Sequence, residues 1–233
     1  MKSINDTCVI IQARVSSERC PRKMVRPFAG TTLTDIALRK LLKSKVIPKE
    51  NIFLSAYDEE LKQIAIKNDI NVFNRSEKSA NWDGGPGSHI KEIFEWWNQL
   101  PFKHVVMINA CVPLLKIETI DRFISDFMNS EEDGAFGVIA KKNYFWDENF
   151  NFLTPLNDTG LNTKKIGITY EAAHCLYGSK MESIGNGIWM ADFGSPGEIK
   201  LLAIDEEECY DVDYEWQFKA CETLYKEMVI NSD

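Results

Sequence analysis

Basic side chains concentrate in one short segment of a chain that is otherwise acidic. Between positions 14 and 26 the only acidic residue is Glu18, whereas five basic residues occur there: Arg14, Arg19, Arg22, Lys23 and Arg26. Closely spaced cations repel one another unless an anion lies among them, and a polyphosphate is such an anion. The segment therefore predicts an anion-binding turn, with a solvated basic loop as the alternative.

Two carboxylates near the end of the chain form a second candidate site. Asp211 and Asp213 are separated by one residue, and residues two apart in extended backbone point to the same side. Both carboxylates can therefore meet one hard cation, and Mg²⁺ suits such a site because it completes its shell with water and phosphate oxygens. The alternative is that Asp213 caps the helix that the pattern places from Tyr214 onward, since aspartate is among the best capping residues.

Apolar runs alternate with helix-period segments along most of the chain. Strands are predicted at 8–11, 51–55, 70–73, 104–108, 134–140 and 200–204, and helices at 33–41, 58–65, 88–97, 117–127 and 214–228. This alternation predicts an α/β fold with a doubly wound, mostly parallel, Rossmann-like sheet. The basic turn follows the first strand, and ligands bind at the carboxyl ends of strands in such sheets. Residues 141 to about 190 lack a sustained period, which predicts an inserted lobe and long loops within a single domain spanning 1–233.

The composition of the sequence and the motifs that it lacks argue against several classes of protein. The 233 residues include 27 Lys and Arg against 35 Asp and Glu, a net charge of −8, which argues against a nucleic-acid binder. No apolar run approaches the roughly eighteen residues of a membrane span. The six cysteines are scattered without a C-x-x-C pair, so we expect a reduced, cytoplasmic chain. Phosphate-loop, serine-hydrolase and dinucleotide-binding motifs do not occur in the sequence, so those classes are disfavoured.

Several segments together resemble one enzyme family. Residues 11–23, I-Q-A-R-V-S-S-E-R-C-P-R-K, are similar to the signature A-R-x-x-S-x-R-x-P-x-K of the acylneuraminate cytidylyltransferases, which activate sialic acid and related keto-sugar acids as CMP conjugates. Residues 210–213 resemble the metal-binding D-x-D element that precedes the last helix in that family. Three further positions match more weakly: the strand-end motif at 109–114, Arg75, and the strand 174–177 ending in a tyrosine.

The resemblance implies a fold, a reaction and a set of site residues. The fold is the nucleotide-diphospho-sugar transferase type, with a small inserted lobe at about 141–190 that covers the substrate and through which a homodimer forms. The reaction is transfer of CMP from CTP to a 3-deoxy-2-keto sugar acid, with release of pyrophosphate. The implied catalytic residues are Lys23, Arg14 and Asp211; nucleotide contacts are Ala13, Arg14, Ser17, Arg19, Lys23 and Arg75; sugar contacts are Asn109 and Tyr177; Mg²⁺ lies on Asp211 and Asp213.

Departures from the family pattern keep alternatives open. Met24 stands where the sialic acid enzymes have asparagine, and Leu115 stands where they often have arginine, so the sugar remains unidentified. A non-catalytic nucleotide-sugar binding module is one alternative. The Ile-Gln-Ala-Arg opening is shared with a branch of spore-coat polysaccharide proteins, which is another. A glycosyltransferase of similar fold is disfavoured, because its D-x-D normally lies mid-chain at the end of a central strand.

Overall fold

The protein is built around one seven-stranded sheet. A computed structural model describes residues 2–81, 89–154, 162–190 and 198–231. The strands are β1 Thr7–Gln12, β2 Ile52–Ala56, β3 Asn71–Asn74, β4 His104–Ile108, β5 Gly134–Lys141, β6 Thr169–Lys180 and β7 Ile199–Ala203, in the spatial order β3-β2-β1-β4-β6-β5-β7. Neighbouring strands are parallel, except that β6 runs antiparallel to both β4 and β5. The predicted doubly wound, mostly parallel sheet is confirmed.

The central strand β1 sets the position of the site. Its residues from Thr7 to Ile11 are buried, as expected for a parallel strand covered on both faces. In register, Ile11 lies between Leu54 of β2 and Ile108 of β4. The carboxyl ends of these three strands therefore lie side by side at one edge of the sheet, and the basic turn leaves the sheet there.

Seven α-helices are present among the described residues: α1 Leu33–Leu41, α2 Glu59–Lys67, α3 Glu77–Ala80, α4 Ile90–Ile93, α5 Ile117–Asn129, α6 Met181–Gly185 and α7 Glu215–Tyr225. Helix α1 begins where predicted because the hydroxyl of Thr32 accepts from the N–H of Asp35 at 3.1 Å. Helix α5 buries Ile120, Phe123, Ile124 and Phe127 at helical spacing.

The last helix is fixed directly to the basic turn. Phe28 is fully buried and meets the ring of Phe218 edge-on at 5.1 Å. The carboxylate of Glu222 accepts from the N–H of Ala29 at 2.9 Å. Burial of one such aromatic ring stabilises the fold by about 1.5–3 kcal/mol. This contact brings the D-x-D, which directly precedes α7, to the basic turn.

The prediction of one helix over 88–97 was wrong in extent. Helix α4 ends at Ile93, and a 3₁₀ turn over Glu95–Asn98 follows. Phe94 and Trp96 pack into the same apolar cluster, yet residues two apart in an α-helix lie on opposite sides. The helix therefore breaks at Phe94 so that both rings face the sheet.

The assignment of 141–190 to a lobe and long loops was also wrong in part. Residues 169–180 form β6 inside the main sheet, followed by helix α6. The pairing of β6 with β5 shifts register between Phe136 and Val138, and this irregularity interrupts the alternation by which a strand is recognised. Outside the sheet, Trp146 and Phe152 form an isolated bridge. The dimerisation role of this region stays a prediction.

Candidate functional site

A cleft of about 640 Å³ opens at the carboxyl ends of β1 and β4. Its walls bring together six residues that the sequence assigned to the site: Ala13, Arg14, Ser17, Arg19, Lys23 and Asp213. They come from the first turn and from the segment before α7, which are about 190 positions apart in the chain. Asn109 at the end of β4 also lines the cleft. The basic turn and the end of the D-x-D therefore face one cavity.

The basic turn is anchored to the neighbouring strands through its backbone. The N–H of Ala13 donates to the carbonyl of Ser55 at 3.0 Å, and the N–H of Val15 donates to Oδ2 of Asp58 at 3.0 Å. The guanidinium of Arg14 reaches the carbonyl of Ala80 at 3.4 Å. The turn is thus held in place before any ligand binds, which lowers the entropic cost of binding.

Asp213 joins the two halves of the site through charge. One carboxylate oxygen accepts from Lys23 Nζ at 3.1 Å, and the other lies 2.9 Å from Arg19 Nη2. Lys23 Nζ also donates to the carbonyl of Val212 at 2.6 Å. Burial lowers the pKa of Lys23, but the neighbouring Cys111 and Asp213 outweigh burial, so its pKa lies above the ordinary value. Lys23 is therefore a fixed cation at neutral pH.

This arrangement contradicts the capping alternative for Asp213. The residue preceding α7 is Tyr214, and the N–H groups of Asp213 and Tyr214 both donate to the side-chain oxygen of Gln217 at 2.8 Å. The Asp213 side chain is directed instead to Lys23 and Arg19. Gln217, which sequence reasoning did not single out, satisfies the donors at the start of the helix.

Asp211 carries a buried acceptor that the protein does not satisfy. Its Oδ1 is buried and accepts no hydrogen bond from any of the described residues. Burial, and then the charge of Asp213, raise the pKa of Asp211, while Lys23, Asn109 and His174 act in the opposite direction. Asp211 lies beside the cleft rather than on its wall. An orphaned buried carboxylate oxygen requires an explanation, and a role as a cation ligand is one.

The donor set at this point fits a hard cation such as Mg²⁺. It consists of two carboxylates separated by one residue, with the unsatisfied Asp211 oxygen among them. Within the described ranges, no group of three or more His, Cys, Asp and Glu side chains could hold a metal. A cation at the pair would therefore draw further oxygen ligands from water and from a bound phosphate, as Mg²⁺ commonly does.

Asn109 is used internally, which its assignment to the sugar did not anticipate. Its Oδ1 accepts from the N–H of Cys111 at 2.8 Å, and its Nδ2 donates to the carbonyl of His174 at 2.9 Å. Its backbone N–H donates to the carbonyl of Cys175 at 3.0 Å. Asn109 therefore fastens the turn after β4 to the irregular part of β6, where His174 has a left-handed backbone with φ 51°.

Two other assigned residues do not line the cleft. Tyr177 packs edge-on against Phe136 at 5.1 Å, and burial raises its pKa. Arg75 is 7% exposed and donates through Nε and Nη2 to the hydroxyl and carbonyl of Ser79. Burial and the charge of Arg14 lower the pKa of Arg75 to about 10. The contacts of Tyr177 with sugar and of Arg75 with nucleotide stay predictions that this geometry does not support.

The cleft also contains residues that sequence reasoning missed. Met24 is 5% exposed, and its sulfur lies 3.6 Å from the thiol of Cys111. Both side chains belong to the main core, so Met24 packs as an apolar residue at the cleft. Gln12 lines the cleft as the last residue of β1. A polar residue that ends a buried apolar strand was the available signal for Gln12.

Comparison with known proteins identifies the family. The family model described as cytidylyltransferase matches residues 8–164, about two thirds of the chain. The chain belongs to the cytidylyltransferase family. The matched range contains the basic turn, Asn109, β1 from Cys8 onward and β2 to β5, whereas the D-x-D and α7 lie beyond it.

Two curated relatives of this cytidylyltransferase family member are similar over part of their length. Pseudaminic acid cytidylyltransferase of Campylobacter jejuni is 27% identical over 133 residues, which cover 55% of this chain and 56% of that protein. Spore coat polysaccharide biosynthesis protein SpsF of Bacillus subtilis is 35% identical over 81 residues, covering 32% and 34% of the two chains. The matched stretch is thus about half the length of the first relative.

A solved structure shares the fold along nearly the whole chain. The structure of CMP:2-keto-3-deoxy-manno-octonic acid synthetase complexed with CTP superposes with a TM-score of 0.68 at 11% identity, covering 96% of this chain and 100% of that one. The predicted nucleotidyltransferase type of α/β fold is therefore confirmed. In the described part of the chain, no helix has the length and apolar character needed to cross a membrane.

Proposed function

We propose that this protein transfers CMP from CTP to a 3-deoxy-2-keto sugar acid and releases pyrophosphate. The observation that carries the proposal is the juxtaposition of Arg14, Arg19 and Lys23 with Asp213 in one cleft, beside the unsatisfied carboxylate of Asp211. Cations suit a triphosphate and paired carboxylates suit its magnesium ion. The cytidylyltransferase family match and the name of the C. jejuni relative support a sugar acid as acceptor.

In this reaction the protein mainly positions the substrates and stabilises negative charge. The oxygen of the sugar's anomeric hydroxyl attacks the α-phosphorus and its proton passes to solvent, while the bond from that phosphorus to the oxygen bridging the α- and β-phosphates breaks and pyrophosphate leaves. Transfers of this type involve little covalent work by the enzyme. Lys23 and Arg14 would neutralise the triphosphate as charge moves onto the leaving group. Ser17, on the same wall, would hold the phosphates in line, with Arg19 at the outer end.

Release of the internal ion pairs is part of the binding step. Lys23 and Arg19 are both bound to Asp213 in the free protein, so neither can fully engage a phosphate while those bonds persist. Asp211 and Asp213 would hold Mg²⁺, which supplies Lewis-acid polarisation of phosphate oxygens when bound. An Asp213 carboxylate that turns to a cation frees Lys23 and Arg19 for the nucleotide. Metal and nucleotide should therefore bind cooperatively.

We extend the proposal to assembly and location. Trp146 and Phe152 are exposed to 55% and 38%, and Phe150 to 86%. Exposed aromatic residues of this kind are typical of interaction surfaces, and we propose that they lie in a homodimer interface. All six cysteines are free thiols, which is consistent with a cytoplasmic enzyme.

A pyrophosphate-release assay tests the function. The purified protein is incubated with Mg²⁺, with CTP, UTP, ATP or GTP, and with a panel of keto-sugar acids that includes pseudaminic and octulosonic acids. We expect release with CTP and one class of sugar acid only. Tight CTP binding without turnover on any sugar acid would favour the non-catalytic binding module. Failure to bind CTP in calorimetry would reject the proposal.

A further inference from the structure

The side-chain amide oxygen of Gln12 is held in place by hydrogen bonds from the protein. Trp96 is fully buried, and its indole N–H donates to Oε1 of Gln12 at 2.8 Å. The hydroxyl of Ser55 lies 3.5 Å from the same oxygen. An indole nitrogen can only donate, so the amide oxygen must face Trp96. Turning the amide over would leave a buried N–H without a partner.

The other half of the amide remains available to a ligand. Nε2 of Gln12 donates to none of the described residues, and Gln12 lines the cleft at the end of β1. Asn109, the side-chain amide at the end of β4, contrasts with it because both of its polar atoms bind the protein. Gln12 therefore presents a donor with a fixed direction to the cleft.

The sheet order indicates which part of the nucleotide meets this donor. Gln12 contacts Ser55 of β2, which lies on the side of β1 away from β4. Asp211 interacts with Asn109 and His174, on the β4 and β6 side. If the α-phosphorus reacts near Asp211, the sugar acid lies on the β4 and β6 side, and the base lies toward β2.

We propose that Gln12 is a specificity-determining residue whose amide N–H is donated to the acceptor edge of the pyrimidine base, favouring cytosine over uracil. This inference rests on the proposed function. Both bases present an acceptor at O2, but N3 is an acceptor in cytosine and a donor in uracil, so the discriminating bond is the one donated to N3. A site built around a fixed hydrogen bond rejects a ligand that lacks the matching group, because its own polar atom is then left unpaired. Trp96 is a positioning residue, since its indole N–H holds the Gln12 amide oxygen and so prevents that oxygen from turning toward the N–H of uracil.

The ratio of CTP to UTP affinity is the readout, measured by titration calorimetry with Mg²⁺ present. Gln12→Glu keeps the shape and the bond from Trp96 but replaces the donor by an acceptor. The added charge lowers the affinity for CTP and for UTP alike. The lost donor lowers the affinity for CTP alone and therefore changes the ratio. We expect the CTP preference to fall about tenfold or more, the scale of one hydrogen bond lost in a desolvated site.

Two further variants make the test specific. Trp96→Phe leaves the Gln12 donor in place but frees the amide to turn, so the preference should fall while CTP still binds; thermal melting checks that the variant is folded. Gln99→Glu is the matched control, because Gln99 is an exposed amide whose hydrogen-bond partner among the described residues is the carbonyl of Glu95. Its ratio should equal that of the wild type.

The outcomes separate the two proposals. A wild-type protein that binds no CTP rejects the proposed function and this inference with it. A wild type that prefers CTP, together with a Gln12→Glu ratio within twofold of wild type, rejects the role of Gln12 alone. A change confined to the KM of the sugar acid would also reject it, because Gln12 would then contact the acceptor substrate.

Discussion

Asp211→Asn should make the protein more stable while it abolishes metal-dependent activity. In the wild type, burial raises the pKa of Asp211, and one buried oxygen has no partner among the described residues. The neutral asparagine keeps the size of the side chain and removes the buried charge. Asn109 lowers the pKa of Asp211, and its amide N–H can donate to an amide oxygen as well as to a carboxylate oxygen. The substitution therefore relieves a cost without creating a cavity.

The expected gain in the free energy of unfolding follows from the cost of burying the Asp211 carboxylate with one oxygen unpaired. Leaving a buried polar group unpaired costs about 1–3 kcal/mol, and more when the group is charged. Asparagine still places a polar atom at the unpaired position but removes the charge, and in the wild type Lys23 already offsets part of the cost of that charge. We therefore expect about 1 kcal/mol at pH 7, which raises the Tm of a domain of this size by roughly 2–4 °C. A carboxyl whose pKa is raised by folding destabilises the protein only where it is ionised. The gain should thus disappear as pH falls toward the ordinary carboxyl value of 3.8.

Thermal melts from pH 4 to pH 8, with and without millimolar MgCl₂, provide the assay. A ligand that binds only the native state raises Tm, so Mg²⁺ should stabilise the wild type and leave Asp211→Asn unchanged. Asp213→Asn is the contrasting variant, since Asp213 is paired with the mostly buried Lys23 at 3.1 Å. It should lose about 1.5 kcal/mol of stability, the lower end for a hydrogen bond to a charged group.

Three results would refute this reasoning. An Asp211→Asn variant that melts below the wild type at pH 7 would mean that the carboxylate has a stabilising partner. A difference in Tm between Asp211→Asn and the wild type that does not change with pH would exclude ionisation of Asp211 as its cause. Equal stabilisation of wild type and Asp211→Asn by Mg²⁺ would remove the cation site from the D-x-D.

Three further predictions concern the turn, its anchor and the assembly. Lys23→Met should lower kcat by about a hundredfold, the scale seen when one transition-state donor is removed; steady-state pyrophosphate release measures it, and normal turnover would contradict it. Asp58→Ala removes the acceptor for the Val15 N–H and should raise the KM for CTP several-fold with little change in kcat, whereas Asp58→Asn keeps an acceptor and should stay close to wild type. Phe150→Ser should shift sedimentation from a dimer toward the monomer of 26.7 kDa, unless the wild type is already monomeric.

The local sequence was sufficient for six of the seven strands and for the longer helices. Buried strands such as β1 are continuous apolar runs, and α5 repeats its apolar residues at helical spacing. These patterns depend on neighbours within a few positions and can be read without the fold. The break at Phe94 and the strand β6 could not be read in this way. Packing of Trp96 beneath the sheet decides the first, and a shift in pairing with β5 decides the second.

The chemical types at the site were also evident from the sequence, because cations crowded between positions 14 and 26 and carboxylates at 211 and 213 show their charge in any conformation. Only the tertiary structure decided what each side chain is bound to. Docking of Phe28 on Phe218 brings Asp213 to Lys23, and the same packing leaves an Asp211 oxygen unsatisfied. It also commits Asn109 and Arg75 to internal bonds and leaves the Gln12 donor without a bond to the part of the chain that the structure describes. Hydrogen-bond partners of this kind depend on distances between segments far apart in the chain, which no local pattern records.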